Sequence, residues 1–294
     1  ANLNIAEKRM PQDGKILATL NDGQFDLRVS VLPTPHGETI NIRILNRQSM
    51  FLTLDQLGFM PDELKLFNNF IERPHGMVLV TGPTGSGKTT TLYAALSKIN
   101  RLEHKIITIE DPIEYQLKGI TQMQVAPNIG FDFARGLRSM LRHDPDIMMV
   151  GEIRDYETAE MAIRSSLTGH LVFSTLHTND AAGAVTRMVD MSVEPFLIAS
   201  TMVASIAQRL VRRICPKCAE SYDPDPGLLR ELGLADEELR AAQFRRGKGC
   251  DNCRHTGYRG RIAIYEILPF SSAIKDLTVR RAPSTEIKRK ACQM

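Results

Sequence analysis

What this chain of 294 residues lacks narrows its class before any motif is read. No stretch approaches the eighteen or so uninterrupted apolar residues of a bilayer-spanning helix. No basic start is followed by an apolar run, so no secretory signal is expected. Charge of one sign is missing too: 37 Lys and Arg against 34 Asp and Glu leave a net charge of +3. That is too near neutral to mark a nucleic-acid or membrane-surface binder. Aromatic residues make up 6% and form no stacking run among basic ones, which again speaks against nucleic acid. Cysteine is scarce, an odd five, and four of the five form two tight pairs. In a chain of cytosolic character such pairs suit a metal better than disulfides. The chain opens at Ala1, straight into a polar segment, and is expected to be part of something longer. What remains is an ordinary globular composition, 43% apolar and 24% charged, long enough for one large core or two modest ones.

From Lys15 to Leu45 the pattern alternates with period two. Phe25, Leu27, Val29 and Val31 interleave with Asp26, Arg28 and Ser30, and Ile40, Ile42 and Ile44 interleave with Asn41 and Arg43. Half-buried antiparallel strands are expected, with turns at Asn21-Asp22-Gly23 and Pro33 to Gly37. Arg28 and Arg43 fall on the polar face, where a solvated surface is the plain reading. Residues 46 to 54 read as a linker. Helical patterning over Asp62 to Ile71 then precedes strands at Met77–Thr81, Lys105–Ile109, Ile147–Val150 and Leu171–Thr175, alternating with helices. That order predicts a mostly parallel sheet covered on both faces. A segment rich in charge, Pro and Gly spans Cys215 to Cys253. From Ile262 a short strand and two amphipathic helices are expected.

Gly82-Pro83-Thr84-Gly85-Ser86-Gly87-Lys88-Thr89 fits G-x-x-x-x-G-K-[ST] in full, between an apolar strand and the helix-forming run Leu92-Tyr93-Ala94-Ala95-Leu96, and Thr90 counts with the motif among the nucleotide-binding residues. The glycines let backbone N–H groups and a helix N-terminus wrap phosphates. Lys88 would reach the β- and γ-phosphates of ATP, and the Thr89 hydroxyl would ligate Mg²⁺. Partner carboxylates end two further apolar strands: Glu152 after Ile147-Met148-Met149-Val150-Gly151, and Glu110 and Asp111 in TIEDPIEY, with Glu114 beyond the Pro turn. One carboxylate can orient water for in-line attack and another can hold the metal's hydration shell; the pattern does not say which does which. TGHLVFSTLHT places His170 and His177 at opposite ends of one more strand. Seven positions apart, the two rings point to opposite faces. His177, at the C-terminal tip where an open α/β sheet gathers ligands, is the better γ-phosphate sensor. His170 reads as structural or as an inter-domain hydrogen-bonder. Arg135, Arg138 and Arg142 share one helix face, either solvated or a subunit contact. Cys215-Pro-Lys-Cys218 and Cys250-Asp-Asn-Cys253 have the knuckle spacing for one tetrahedral Zn²⁺, closed and therefore structural. His255 and Cys292 read as bystanders.

In this order, the loop at Gly82, IEDPIEY, MMVGEIRD and TGHLVFSTLH resemble the secretion ATPases of type II secretion and type IV pilus systems, over essentially the whole chain. The resemblance implies an α/β fold: a RecA-like P-loop NTPase core (55–210, completed by 261–294), an inserted zinc-binding subdomain (211–260), and a linker (48–54) after the C-terminal part of a small, PAS-like α+β domain (1–47). The cysteine pairs favour the type II secretion and pilus-assembly branch over retraction motors. By the same resemblance the protein is a cytoplasmic ATPase working as a hexamer, and Arg28 and Arg43 approach the phosphates from the small domain. It docks on inner-membrane platform proteins through an N-terminal region outside this chain, with no direct nucleic-acid partner. Two other readings stay open: a conjugative or DNA-uptake motor of the same superfamily, and a zinc-bearing nucleic-acid module with nucleotide as a structural ligand.

Overall fold

Period-two alternation at the start of the chain becomes a three-stranded antiparallel meander of β1 (Gln12–Leu20), β2 (Gly23–Thr34) and β3 (Gly37–Asn46). The computed structural model describes residues 1–20, 23–46, 52–225, 227, 229, 237, 239 and 242–294. Residues 47–51, most of the expected linker, and the turn at 21–22 lie outside them. The chain divides into two compact units, Ala1–Thr53 and Leu54–Met294. In the first, the apolar face is closed only along β2, where Val29 and Val31 are buried while Ile42 and Ile44 stay more than half exposed. The first residues of the chain cross that face, since a Cβ on Gly14 would lie 2.3 Å from the Ala1 carbonyl oxygen.

The second unit is built on a seven-stranded sheet. Its members are β4 (Gly76–Thr81), β5 (Ile106–Glu110), β6 (Thr121–Gln124), β7 (Ile147–Val150), β8 (Leu171–Leu176), β9 (Met202–Ile214) and β12 (Tyr258–Pro269). The order across the sheet is β12-β9-β4-β8-β7-β5-β6, all parallel except β12. Every residue of β4, β5, β7 and β8 is buried, as continuous apolar runs in a doubly covered sheet require. Successive residues serve opposite layers. Val78 and Val80 pack with α1 (Pro61–Ile71) and α2 (Lys88–Ile99). Met77 and Leu79 pack in the layer of α3 (Phe133–Met140), α4 (Tyr156–Leu167), α5 (Ala181–Asp190), α6 (Pro195–Thr201), α7 (Ser272–Val279) and α8 (Ser284–Ala291).

Three features depart from the pattern reading. Strand β6, TQMQ, has no apolar run to announce it, because it lies at the sheet edge. The strand expected to be short near Ile262 is 12 residues long. Strand β9 had no expected counterpart; its inner half and that of β12 belong to the sheet, while their outer halves, across positions 210/211 and 260/261, run on as an exposed two-stranded ribbon. Beyond the ribbon, β10 (Ala219–Ser221) pairs with β11 (Arg245–Gly247).

Candidate nucleotide site and cysteine cluster

Four neighbouring strands, β4, β8, β7 and β5, end at one edge of the sheet, and each tip carries one of the sequence signatures. Strand β4 leads into Gly82, β8 into His177, β7 into Gly151-Glu152, and β5 ends at Glu110. Parallel strands make this inevitable: equal direction brings all their C-terminal ends to the same side.

The loop after β4 is shaped by left-handed glycines, Gly85 at φ +78° and Gly87 at φ +89°. Gly87 caps α2 without a side chain, so the first N–H groups of that helix stay available to an anion. Ser86 is buried, and its hydroxyl has no hydrogen-bond partner among the described residues. Lys88 donates to the carbonyl oxygens of Gly82 (2.9 Å) and Pro83 (3.2 Å) of its own loop. Burial lowers its pKa, and the Glu152 charge works against that. Thr89 and Thr90 are half-buried at the start of α2. An orphaned hydroxyl, an uncapped helix start and a lysine held by neutral carbonyls all fit a phosphate chain.

Glu152 accepts from Arg154 at 2.6 Å and lies 3.3 Å from His177 Nε2, its own side chain 12% exposed. The structure thus brings His177 to Glu152, and the hydrogen bond to Glu152 raises the Arg154 pKa. His170 is placed differently: its Nδ1 meets Ser165 O at 2.9 Å and Thr168 Oγ1 at 3.1 Å, pinning the end of α4. Glu110 is buried and wrapped by donors from Tyr93 Oη, Thr108 Oγ1 (2.6 Å) and Gln122 Nε2 (3.0 Å). The Glu114 N–H donates to the Tyr93 hydroxyl at 3.3 Å, so this network ties the IEDPIEY turn to α2. Burial, then the Glu110 charge, raises the pKa of Tyr93 and pushes Tyr115 up to about 12. The arginines of α3 and of the 3-10 turn after it (Leu141–His143) are held locally, Arg135 by Gly130 O, Arg138 by Glu157 and Arg142 by Arg138 O.

In the meander, Arg28 stands directly opposite Arg43 on β3 and opposite Lys15 on β1. Three cations therefore form one row across three strands.

The four paired cysteines come from the end of β9 and the loop before β12. Their sulfurs lie within 4.8 Å of one another, with Cys215–Cys250 at 3.9 Å and Cys218–Cys253 and Cys250–Cys253 at 3.8 Å. Thiolates at about 2.3 Å from a tetrahedral zinc stand about 3.8 Å apart. Burial works to raise the Cys253 pKa, yet N–H groups of Cys250 and Gly257 bring it down to about 6. Cys218 is pushed up to about 12 by burial. His255 pairs with Asp251 at 3.1 Å, and Cys292 is exposed.

Sequence reasoning missed Gln208, Tyr93 and Gln122. Each is a single polar or aromatic residue with no motif around it, and only the packing shows what it touches.

A family model described as "Type II/IV secretion system protein" matches residues 1–294. The type II secretion system protein E of Pseudomonas aeruginosa is 50% identical over 291 residues, 99% of this chain and 58% of that protein. The type IV pilus assembly ATPase PilB of Myxococcus xanthus is 48% identical over 296 residues, 100% of this chain and 52% of that protein. The chain thus spans little more than half the length of these relatives. Among solved structures, the pilus retraction motor PilT with bound ADP superposes with a TM-score of 0.70 at 28% identity, covering 97% of this chain and 70% of that one.

Proposed function

The chain belongs to the type II/IV secretion system protein family, and from that premise we propose that it hydrolyses ATP to drive protein export through a type II secretion system. The observation that carries this reading is the alignment of the loop at Gly82, His177, Glu152 and the IEDPIEY turn on four adjacent strand tips. Lys88 exchanges the carbonyls of Gly82 and Pro83 for β- and γ-phosphate oxygens, a charged partner replacing neutral ones. The loop N–H groups from Thr84 to Thr89 surround the phosphates. Mg²⁺, held through Thr89, would neutralise charge on the transferring group. Glu152 orients the in-line water or the metal's hydration shell, Glu114 shares that task, and His177 reports the γ-phosphate to Glu152. Glu110, enclosed by Tyr93, Thr108 and Gln122, holds the turn that carries Glu114 and does not meet the water itself. Arg28 and Arg43 close on the phosphates from the small β-rich unit, where guanidinium charge stabilises the transferring group.

The remaining parts follow the same family logic. The larger unit is a RecA-like core, the smaller one the end of a PAS-like domain, and Cys215, Cys218, Cys250 and Cys253 hold a structural Zn²⁺. The protein assembles as a hexamer on the cytoplasmic side of the inner membrane, docked on platform proteins through a region outside this chain. No described helix is long and apolar enough to cross a membrane, which accords with peripheral attachment. Pilus assembly is the second reading, because the Myxococcus xanthus relative matches almost as well as the Pseudomonas aeruginosa one.

Phosphate release by the wild type and Glu152→Gln across a protein concentration series tests the proposal. Turnover that rises more than in proportion to concentration, and vanishes in the variant, is expected of a ring that completes its sites by assembly. Absence of turnover at every concentration would refute it.

A further inference from the structure

Strand β9 carries one amide in an otherwise dry part of the sheet. Gln208 is 2% exposed, and the segment around it pairs with β4 just ahead of the glycine loop. Its Oε1 accepts from Thr91 Oγ1 at 2.8 Å, and Thr91 lies wholly buried in the first turn of α2. The same residue presses on the loop. A Cβ on Gly82 would come within 2.4 Å of the Gln208 carbonyl oxygen, and one on Gly87 within 2.9 Å of its Nε2. Those two glycines are therefore bare on the side that Gln208 fills. Its neighbour Arg209 donates at 3.4 Å to both the carbonyl and the side-chain oxygen of Asn179, two residues beyond His177. Thr178, in between, is tied by its N–H to Thr81 Oγ1 at 2.9 Å.

We infer that Gln208 is a positioning residue for the phosphate loop: through Thr91 it fixes the first turn of α2, and as a wall beside Gly82 and Gly87 it sets where the loop presents its N–H groups. The inference rests on reading that loop as the nucleotide site. A loop with left-handed glycines has little stiffness of its own, and an N–H array binds phosphate well only when held in place beforehand. Truncating Gln208 leaves the Thr91 hydroxyl buried without its acceptor and opens a void against Gly87, while the main-chain carbonyl beside Gly82 stays. Lys88 moves when phosphate arrives, whereas Gln208, anchored in the sheet, is the fixed surface on which the loop re-forms.

Titration of a fluorescent ADP analogue with Mg²⁺ into wild type, Gln208→Ala, Gln208→Glu, Thr91→Val and the Gln208→Ala/Thr91→Val double variant tests this. Gln208→Ala and Thr91→Val are each expected to weaken binding about tenfold, and the double variant no more than the stronger single one, since both break one contact. Gln208→Glu keeps an acceptor for Thr91 but sets a carboxylate beside Gly87, which repels phosphate and lowers the melting temperature while it is charged. Its binding is therefore weak at neutral pH and recovers to near the wild-type level as the pH is lowered and the carboxyl becomes neutral, whereas Gln208→Ala stays weak. Wild-type binding by Gln208→Ala, or Gln208→Glu that stays as weak as Gln208→Ala at low pH, overturns the inference. Should Gln208→Ala fail to fold, Thr91→Val takes its place, and wild-type binding by that variant overturns the inference. Wild type that binds no ADP analogue would instead sink the nucleotide reading, and the inference with it.

Discussion

Glu152 meets Arg154 and His177 while nearly enclosed, so its charge is already balanced before any substrate arrives. Replacing that carboxylate by an amide keeps the shape and removes the charge proposed to orient the water or the hydrated metal. Glu152→Gln should therefore bind the ADP analogue as the wild type does and lose at least about a hundredfold in phosphate release. A loss of binding in parallel with turnover would assign Glu152 to ground-state contacts instead. Buried tyrosines make a second expectation. Burial, before any other cause, pushes Tyr115 and Tyr265 up to about 12 and raises Tyr93 as well. The unfolded chain releases such protons near the ordinary value of about 10. Stability from this source is thus complete below about pH 10 and drains away as the pH climbs toward 12. Tyr265→Phe should shift the alkaline unfolding midpoint upward, read by circular dichroism alongside tyrosinate absorbance. An unmoved midpoint would deny Tyr265 a part in alkaline unfolding.

Helices and strands are where prediction from pattern and the observed elements can be compared piece by piece. Fully buried strands such as Ile147–Val150 and Leu171–Leu176 were legible because burial on both faces demands an unbroken apolar run. The glycine loop was legible because its backbone chemistry restricts residue type at fixed spacing. Strand β6 was not, since an edge position places no demand for apolar residues on it. Strand β9 was not read at all, because Ser205, Gln208 and the arginines beyond it interrupt any apolar run, and β12 was read too short because a ribbon that leaves the sheet changes exposure along its length. Contacts across elements, Gln208 with Thr91 or Tyr93 with Glu110, depend on register, which no local pattern states. Caps make a simple test at this scale. Asp155 accepts from the Thr158 N–H at 2.8 Å at the start of α4. Asp155→Ala should cost about 1 kcal/mol in urea unfolding, whereas a change near zero would mean water substitutes for the cap. The cysteine cluster gives another: metal analysis should find one zinc per chain, lost in Cys250→Ser, and a metal-free wild type with four titratable thiols would remove zinc from the account.

At the scale of the whole molecule, the arginine row belongs to the smaller of two compact units, and its proposed part in the reaction can be tested directly. Arg28→Ala and Arg43→Ala should each reduce turnover on the order of 10³-fold, with ADP-analogue binding changed far less. Equal loss of both would make the row a docking contact for nucleotide and not a clamp on the reacting phosphate. One further consequence lies in the cysteine ribbon. A metal held by Cys215 and Cys218 on one side and Cys250 and Cys253 on the other would clasp both strands at their outer ends. Chelation should then free those ends ahead of the sheet, read as faster amide exchange at Cys215, whose N–H donates to the Gly257 carbonyl at 2.9 Å.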